Sequence, residues 1–382
     1  MLKKFKVKNY KNFKDEIVID FENHGEYQFN KDCISNDLIS KMLIYGRNAT
    51  GKTNLGKALL DINYTMFGDI RYSENEILLN ADSKEDVVAF SYTFKFDEKE
   101  VIYQYSKLSN QELSSEELYV DGVTVFKCNF IKEMYDFENL KNVYAETANT
   151  ERYLQSLEFS KKTKISDAKL PFLRWIFNNV ALNSESVLLS LYSYVVRMIM
   201  ITVGSAIHGA KGLNQNFYEL LNNGDELKKF EEFLNFMGVE CKLVLKKLPD
   251  EQQELYFGYE RLIPFFENAS SGTLILTDLY RKLVIDLVNS SLIYLDEFDA
   301  FYHYEMAEKV VLFFKNKYSY SQLIMTTHNT NLMTNRIMRP DCLFILSGEG
   351  KLTALCNATK RELREGHNLE KMYISGEFDE YE

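Results

Sequence analysis

The chain has no surplus of positive charge, no paired cysteines and no uninterrupted apolar span, and each shortage removes a class of function. Over 382 residues the net charge is −11 and the sequence pI about 5.2. No global basic field therefore draws in nucleic acid or an anionic membrane surface, although a local basic face stays open. The five cysteines, Cys33, Cys128, Cys241, Cys342 and Cys356, are scattered, odd in number and never spaced Cys-x-x-Cys. That argues against a disulfide framework and a structural zinc site, and fits a reducing cytoplasm. The opening Met1-Leu2-Lys3-Lys4-Phe5-Lys6 lacks the apolar core of a secretion signal. Residues 187–207 come closest to a membrane span, but Arg197 sits in their middle and Ser190, Ser193, Thr202 and Ser205 dilute them. An unpaired central arginine is costly in lipid, so the segment reads as a buried helix and no membrane contact is expected. Apolar residues make up 46% of the chain, ample for one large domain or two modest ones.

What the chain does have is centred on Gly46-Arg47-Asn48-Ala49-Thr50-Gly51-Lys52-Thr53, preceded by the apolar run Met42-Leu43-Ile44-Tyr45. Strand, loop and helix follow in the order a phosphate-binding loop requires. The glycines let backbone N–H groups close on phosphates, and the helix opening with Thr53-Asn54 points its positive end at the same anion. Lys52 can reach the β and γ oxygens, and the Thr53 hydroxyl can ligate Mg2+. A chance glycine turn is the alternative; the full pattern between a strand and a helix outweighs it. The chain is expected to bind ATP.

Before this loop, Phe5 and Val7 alternate with Lys4, Lys6 and Lys8, and Ile17, Ile19 and Phe21 recur two apart, predicting paired strands. Lys3, Lys4, Lys6, Lys8, Lys11 and Lys14 form the most basic stretch, read as a solvated strand edge protected by lysines in preference to a DNA-facing strip. After the loop comes a polar linker over 73–86, then apolar alternations over 87–105 and 117–126 broken at Asp97-Glu98 and Asp121-Gly122, which predict antiparallel hairpins. From 131 to 240 the period turns helical, with a loop over 209–216 and a turn at Asn222-Asn223-Gly224-Asp225. A further hairpin brackets Pro249-Asp250-Glu251 and returns the chain to the core.

The second half of the nucleotide site lies downstream. Leu292-Ile293-Tyr294-Leu295-Asp296-Glu297 is a buried strand ending in two acids. Placed beside the phosphate-loop strand, it would deliver Asp296 to the magnesium and Glu297 to the attacking water. Leu323-Ile324-Met325-Thr326-Thr327-His328 is another apolar strand. Its terminal histidine is read as a γ-phosphate sensor in preference to a core or surface residue. Ser270-Ser271-Gly272-Thr273 opens a helix over 276–289 and forms a second anion-binding end, or simply an N-cap. Because Lys52, Thr53, Asp296 and Glu297 leave the γ-phosphate uncapped, a second subunit would supply that helix end.

These pieces, in this order, resemble ABC-type ATPases of the RecF and SMC kind: Gly46–Thr53 as Walker A, Ser270–Thr273 as a divergent signature, Leu292–Glu297 as Walker B with its catalytic glutamate, Asp299 as the D-loop and His328 as the switch histidine. The signature departs from Leu-Ser-Gly-Gly-Gln, and Gln104 is only a candidate for the Q-loop. Asp299-Ala300-Phe301-Tyr302-His303, Thr327-His328-Asn329-Thr330 and residues 368–376 are similar to bacterial anti-phage ATPases, the RloA-like proteins and those of the AbiL and PARIS systems. The resemblance implies an α/β, P-loop ABC-ATPase-like core over 1–130 and 241–382, with a mixed and antiparallel β-subdomain and a helical insertion at 131–240. It implies Lys52, Glu297 and His328 as catalytic, Gly46 to Asn54 and Ser270 to Thr273 as ATP-binding, and Thr53 and Asp296 as metal-binding. It further implies a homodimer or higher homo-oligomer with two ATPs at its interface and a Toprim-type nuclease effector as partner, with DNA or a phage protein as trigger. No nuclease is expected in this chain, since Asp379, Glu380 and Glu382 read as a solvated tail. A RecF-like repair ATPase and a P-loop nucleotide kinase are the competing functions.

Overall fold

The computed structural model describes residues 1–68, 76–163, 170–202, 214–249, 252–285 and 289–382. β1 (Leu2–Lys8) and β2 (Ile17–Asp20) pair as an antiparallel hairpin. Short β3 (Ile34–Ser35) and β4 (Leu38–Ile39) lead into β5 (Lys41–Tyr45), buried at every residue, and then into α1 (Lys52–Leu59) and α2 (Asp61–Phe67). An antiparallel run follows: β6 (Val88–Phe96), β7 (Lys99–Lys107), β8 (Leu113–Val120), β9 (Val123–Asn129) and β10 (Met134–Asp136). Helices α3 (Thr150–Thr163), α4 (Phe172–Asn179) and α5 (Val187–Val195) precede β11 (Met198–Thr202), α6 (Asn214–Leu221) and α7 (Gly224–Met237). The chain then forms β12 (Leu243–Lys247), β13 (Gln253–Gly258), β14 (Leu262–Pro264), α8 (Phe265–Asn268) and α9 (Ser271–Ile285). It closes with β15 (Leu292–Asp296), α10 (Tyr304–Lys317), β16 (Gln322–Thr327), β17 (Leu343–Leu346), β18 (Leu352–Ala354) and α11 (Leu369–Ile374).

Two large sheets carry the architecture, an α/β fold with a parallel core and an antiparallel subdomain. The first has the order β10-β9-β8-β7-β6-β1-β2. Its strands alternate as a one-sided sheet must: Phe90, Tyr92 and Phe94 are buried while Ser91 and Thr93 face outward. The Asp121-Gly122 turn takes positive φ at both residues, which fits the tight hairpin that its sequence predicts. The second sheet has the order β11-β15-β16-β5-β17-β18, parallel from β11 through β17. β5, β15, β16 and β17 are buried throughout, as parallel strands covered on both faces are.

Several expectations change. β1 is not an edge: β2 and β6 flank it, and its lysines are answered by acids of neighbouring segments. Lys3 pairs with Glu22 and Glu100, Lys4 with Asp20, Lys6 with Glu16, Lys8 with Glu85, and Lys11 with Glu76. Residues 187–207 are not one helix. The helix ends at Val195 and the chain re-enters the parallel sheet as β11, beside β15. Span 131–240 is accordingly not wholly helical, since β10 extends the antiparallel sheet and β11 the parallel one. A continuous apolar run carries no period that separates a buried helix from a buried strand, which is why the sequence misleads here. Asn223 caps α7 at the expected turn, its side chain accepting from the Asp225 N–H. The hairpin over 243–258 forms, but in a separate sheet with β14 rather than in the core. The loop over 209–213, part of the 73–86 linker and Asp250-Glu251 lie outside the described residues.

Candidate functional site

β5 ends at Tyr45, and the loop 46–51 turns the chain into α1. Ala49 and Gly51 take positive φ, 66° and 103°. Thr50 Oγ1 donates to the Arg47 carbonyl (3.0 Å), and the Leu55 N–H to the Gly51 carbonyl (2.8 Å). Asn12, in the β1–β2 loop, braces the turn from outside: its Nδ2 donates to the Thr50 carbonyl (2.9 Å) and its Oδ1 accepts from Asn54 Nδ2 (2.8 Å). Sequence reasoning missed this brace, since nothing local ties residue 12 to residue 50. Gly56 permits a second close contact. A Cβ there would stand 2.5 Å from the ring of Tyr294, whose hydroxyl donates to the Lys52 carbonyl (2.5 Å).

Lys52 is almost wholly enclosed, and burial holds its pKa below the ordinary value. Its Nζ donates to the Gly46 (2.8 Å) and Arg47 (3.1 Å) carbonyls, and the Glu297 carboxylate stands 3.9 Å away. A desolvated ammonium held by two neutral carbonyls is under-compensated, and a polyphosphate would supply the missing charge. Thr53 Oγ1 donates to Asp296 Oδ2 (2.7 Å) and Thr326 Oγ1 to Asp296 Oδ1 (3.0 Å). Asp296 is buried, and desolvation raises its pKa against those two hydrogen bonds. Among the described residues no group of three His, Cys, Asp or Glu could hold a metal. A divalent ion would instead use the Thr53 hydroxyl and the Asp296 carboxylate, completed by water and phosphate oxygens, which is how Mg2+ sits with nucleotides.

The acidic strand does not neighbour the phosphate-loop strand, contrary to the expectation. β16 lies between them, pairing Tyr294 with Ile324 on one side and Met42 with Ile324 on the other. Glu297 follows β15 with φ 46°, a left-handed conformation that costs a non-glycine residue roughly 1–2 kcal/mol. Asp299 Oδ2 accepts from Thr327 Oγ1 (2.7 Å), while its Oδ1 is buried without a protein partner. Burial raises the Asp299 pKa, against the pull of the Thr327 hydrogen bond. His328 itself is exposed at the end of β16.

Among the described residues no hydrogen bond or ion pair links the Ser270–Thr273 segment to this cluster, although a Cβ on Gly272 would stand 3.8 Å from the Phe301 carbonyl. Ser270 Oγ accepts from the Thr273 N–H (3.1 Å) and meets Thr273 Oγ1 (2.9 Å), an N-cap of α9. Ser270 and Ser271 are exposed. Gln104 lies within β7, bonding Ser91 Oγ (3.1 Å). The acidic tail is not all solvated: Glu382 forms an ion pair with Arg47, its side chain only 10% exposed, because buried Phe378 anchors the segment and Tyr373 bonds Tyr45 (2.9 Å). Tyr45, Arg47 to Thr50, Leu346 and Glu382 line a cavity of about 240 Å³ there. No helix of the described residues is long and apolar enough to cross a membrane.

The chain is similar to an SMC head domain from Thermotoga maritima (16% identity, 92% of this chain and 98% of that one, TM-score 0.44). It is similar to an SMC head bound to the C-terminal winged-helix domain of ScpA (15% identity, 92% and 96%, TM-score 0.44). A third likeness is to an SMC head with an extended coiled coil, bound to the C-terminal domain of ScpA derived from Pyrococcus furiosus (14% identity, 92% and 95%, TM-score 0.39). No curated protein matches. Residues 41–334, from β5 past His328, match the family described as "AAA domain, putative AbiEii toxin, Type IV TA system", and the chain belongs to that family.

Proposed function

We propose that this chain binds MgATP on the 46–53 loop and hydrolyses it within a head-to-tail homodimer of ABC type. The observation that carries the reading is the convergence of two distant segments: enclosed Lys52 and Thr53 at the start of α1 meet Asp296 and Glu297 at the end of β15, through the Thr53–Asp296 hydrogen bond and the Lys52–Glu297 approach. In hydrolysis Glu297 takes the proton of a water whose oxygen bonds to the γ-phosphorus as the bridging β–γ oxygen leaves. Lys52 stabilises charge on the transferring group. Bound Mg2+ would neutralise charge on the β and γ oxygens.

The exposed Ser270-Ser271 end of α9 is available to a second copy, which supports a shared site. Glu297→Gln should preserve ATP binding and trap an ATP-dependent dimer, read by light scattering, while hydrolysis falls at least 100-fold. An E297Q chain that stays monomeric with saturating MgATP would contradict the shared site.

We further propose a role in anti-phage defence through an effector, such as a Toprim-type nuclease encoded alongside, on the likeness to RloA-like ATPases. Co-purification of the neighbouring gene product with the E297Q chain tests it. The RecF-like repair reading relied on the basic stretch near the start. The ion pairs of Lys3, Lys4, Lys6, Lys8 and Lys11 weaken that support.

A further inference from the structure

The hydroxyl of Thr326 makes two hydrogen bonds, one to each acid of the site. It donates to Asp296 Oδ1 (3.0 Å) and accepts from the backbone N–H of Glu297 (2.8 Å). The Thr326 carbonyl accepts from the Phe298 N–H (3.3 Å), so one residue holds three consecutive positions of the turn after β15. Thr326 is fully buried. Glu297 is the residue held in left-handed backbone, φ 46°, and its side chain is 42% exposed. The hydrogen bond at its own N–H (2.8 Å) is shorter than the one its carbonyl accepts from Ala300 (3.2 Å) and than the approach of Lys52 to its carboxylate (3.9 Å). The next residue repeats the device: Thr327 Oγ1 donates to Asp299 Oδ2 (2.7 Å) and accepts from the Asn329 N–H (2.9 Å). β16 thus leads into His328 with two hydroxyls fastened to the turn that carries Glu297.

We propose that Thr326 is the positioning residue for Glu297. In this scheme it fixes the left-handed backbone that aims the carboxylate at the attacking water, and it ties that aim to the strand ending in His328. The proposal rests on the hydrolase reading above. It requires no contact of Thr326 with substrate. A one-residue shift of the turn, or a bare methyl in place of the hydroxyl, frees the Glu297 backbone to relax toward ordinary φ and swings the carboxylate away.

The test is a double-mutant cycle on the full chain with MgATP, joining Thr326→Val and Thr326→Ser to Glu297→Gln. Thr326→Val should lower kcat roughly 100-fold, the cost of a displacement of about 1 Å in a reacting group. The Kd for a fluorescent ATP analogue should stay in place. Thr326→Ser, which keeps the hydroxyl, should recover most of the rate. In the E297Q chain Thr326→Val should cost nothing further. If the Val variant fails to fold, judged by its melting curve, Thr326→Ala takes its place in the cycle. The proposal is overturned if the hydroxyl deletion costs as much in E297Q as in wild type, or weakens ATP binding as much as it slows turnover. Wild-type turnover in the Val variant overturns it alone. A wild-type chain that binds ATP and never hydrolyses it brings down the hydrolase reading and this proposal together.

Discussion

Glu116 offers a measurement of buried charge that is independent of nucleotide. It sits on β8, fully buried, with Tyr103 Oη donating to Oε1 (2.8 Å) and the first N–H groups of α4 donating to it: Leu173 to Oε1 (3.0 Å) and Phe172 to Oε2 (2.6 Å). No cation is among these contacts. Burial therefore pushes its pKa up to about 7 from 4.5, even though all three donors pull the other way. The folded chain keeps this proton up to about pH 7, while the unfolded chain gives it up near 4.5. The stabilisation is therefore complete below the lower value and lost as pH rises through the upper one. At about 1.4 kcal/mol per tenfold in proton affinity, the loss amounts to roughly 3 kcal/mol. Glu116→Gln cannot ionise, and it costs a similar amount at every pH because its amide nitrogen must face a backbone N–H. The stability difference between wild type and E116Q should thus shift by about 2.5 kcal/mol in favour of the variant between pH 5 and pH 8, the rest of the loss falling below pH 5. Urea titrations at several pH values measure it. The only tryptophan, Trp175, stacks 5.8 Å from Phe172 in α4, so intrinsic fluorescence reports on this part of the molecule. Parallel pH profiles for the two chains would refute the reasoning.

Two further perturbations follow from the packing behind the phosphate loop. Gly56→Ala forces a methyl into the Tyr294 ring and should cost about 1–3 kcal/mol in thermal or urea unfolding, with weaker ATP binding because α1 is pushed off β15; an unchanged melting temperature would contradict it. Lys107→Ala strands Asp61, which is fully buried and takes Lys107 Nζ (2.6 Å), Tyr105 Oη (2.7 Å) and Thr65 Oγ1 (3.2 Å) on one oxygen. The loss should be about 3–5 kcal/mol, and the paired Asp61→Asn, Lys107→Met chain should recover part of it.

Much of this was readable in the sequence, and the reason is locality. The phosphate loop, the Asp296-Glu297 pair and the hairpins around Asp97 and Asp121 are written in runs of ten residues or fewer, where period and turn chemistry decide. What escaped depends on which strands become neighbours. Nothing near Asp296 announces that β16 comes between it and β5, nor that Thr326 spans the gap with its hydroxyl. Nothing local marks Asn12 as a brace, because its partners lie some forty positions away. β11 was lost in an apolar run with no period. The tail was read from its charges alone, while buried Phe378 and the Arg47 guanidinium brought Glu382 down onto the loop.

The placement of β16 also bears on which length changes the protein can absorb. Its register is fixed on both sides, Met325 against Leu295 and Leu43, Thr327 against Tyr45. Side chains along a strand alternate faces, so gaining or losing a single residue ahead of Thr326 would turn every following side chain over and break the bonds of the Thr326 hydroxyl to Asp296 and Glu297 at once. Homologues should therefore vary freely in the segments joining the sheets, yet keep this strand at constant length.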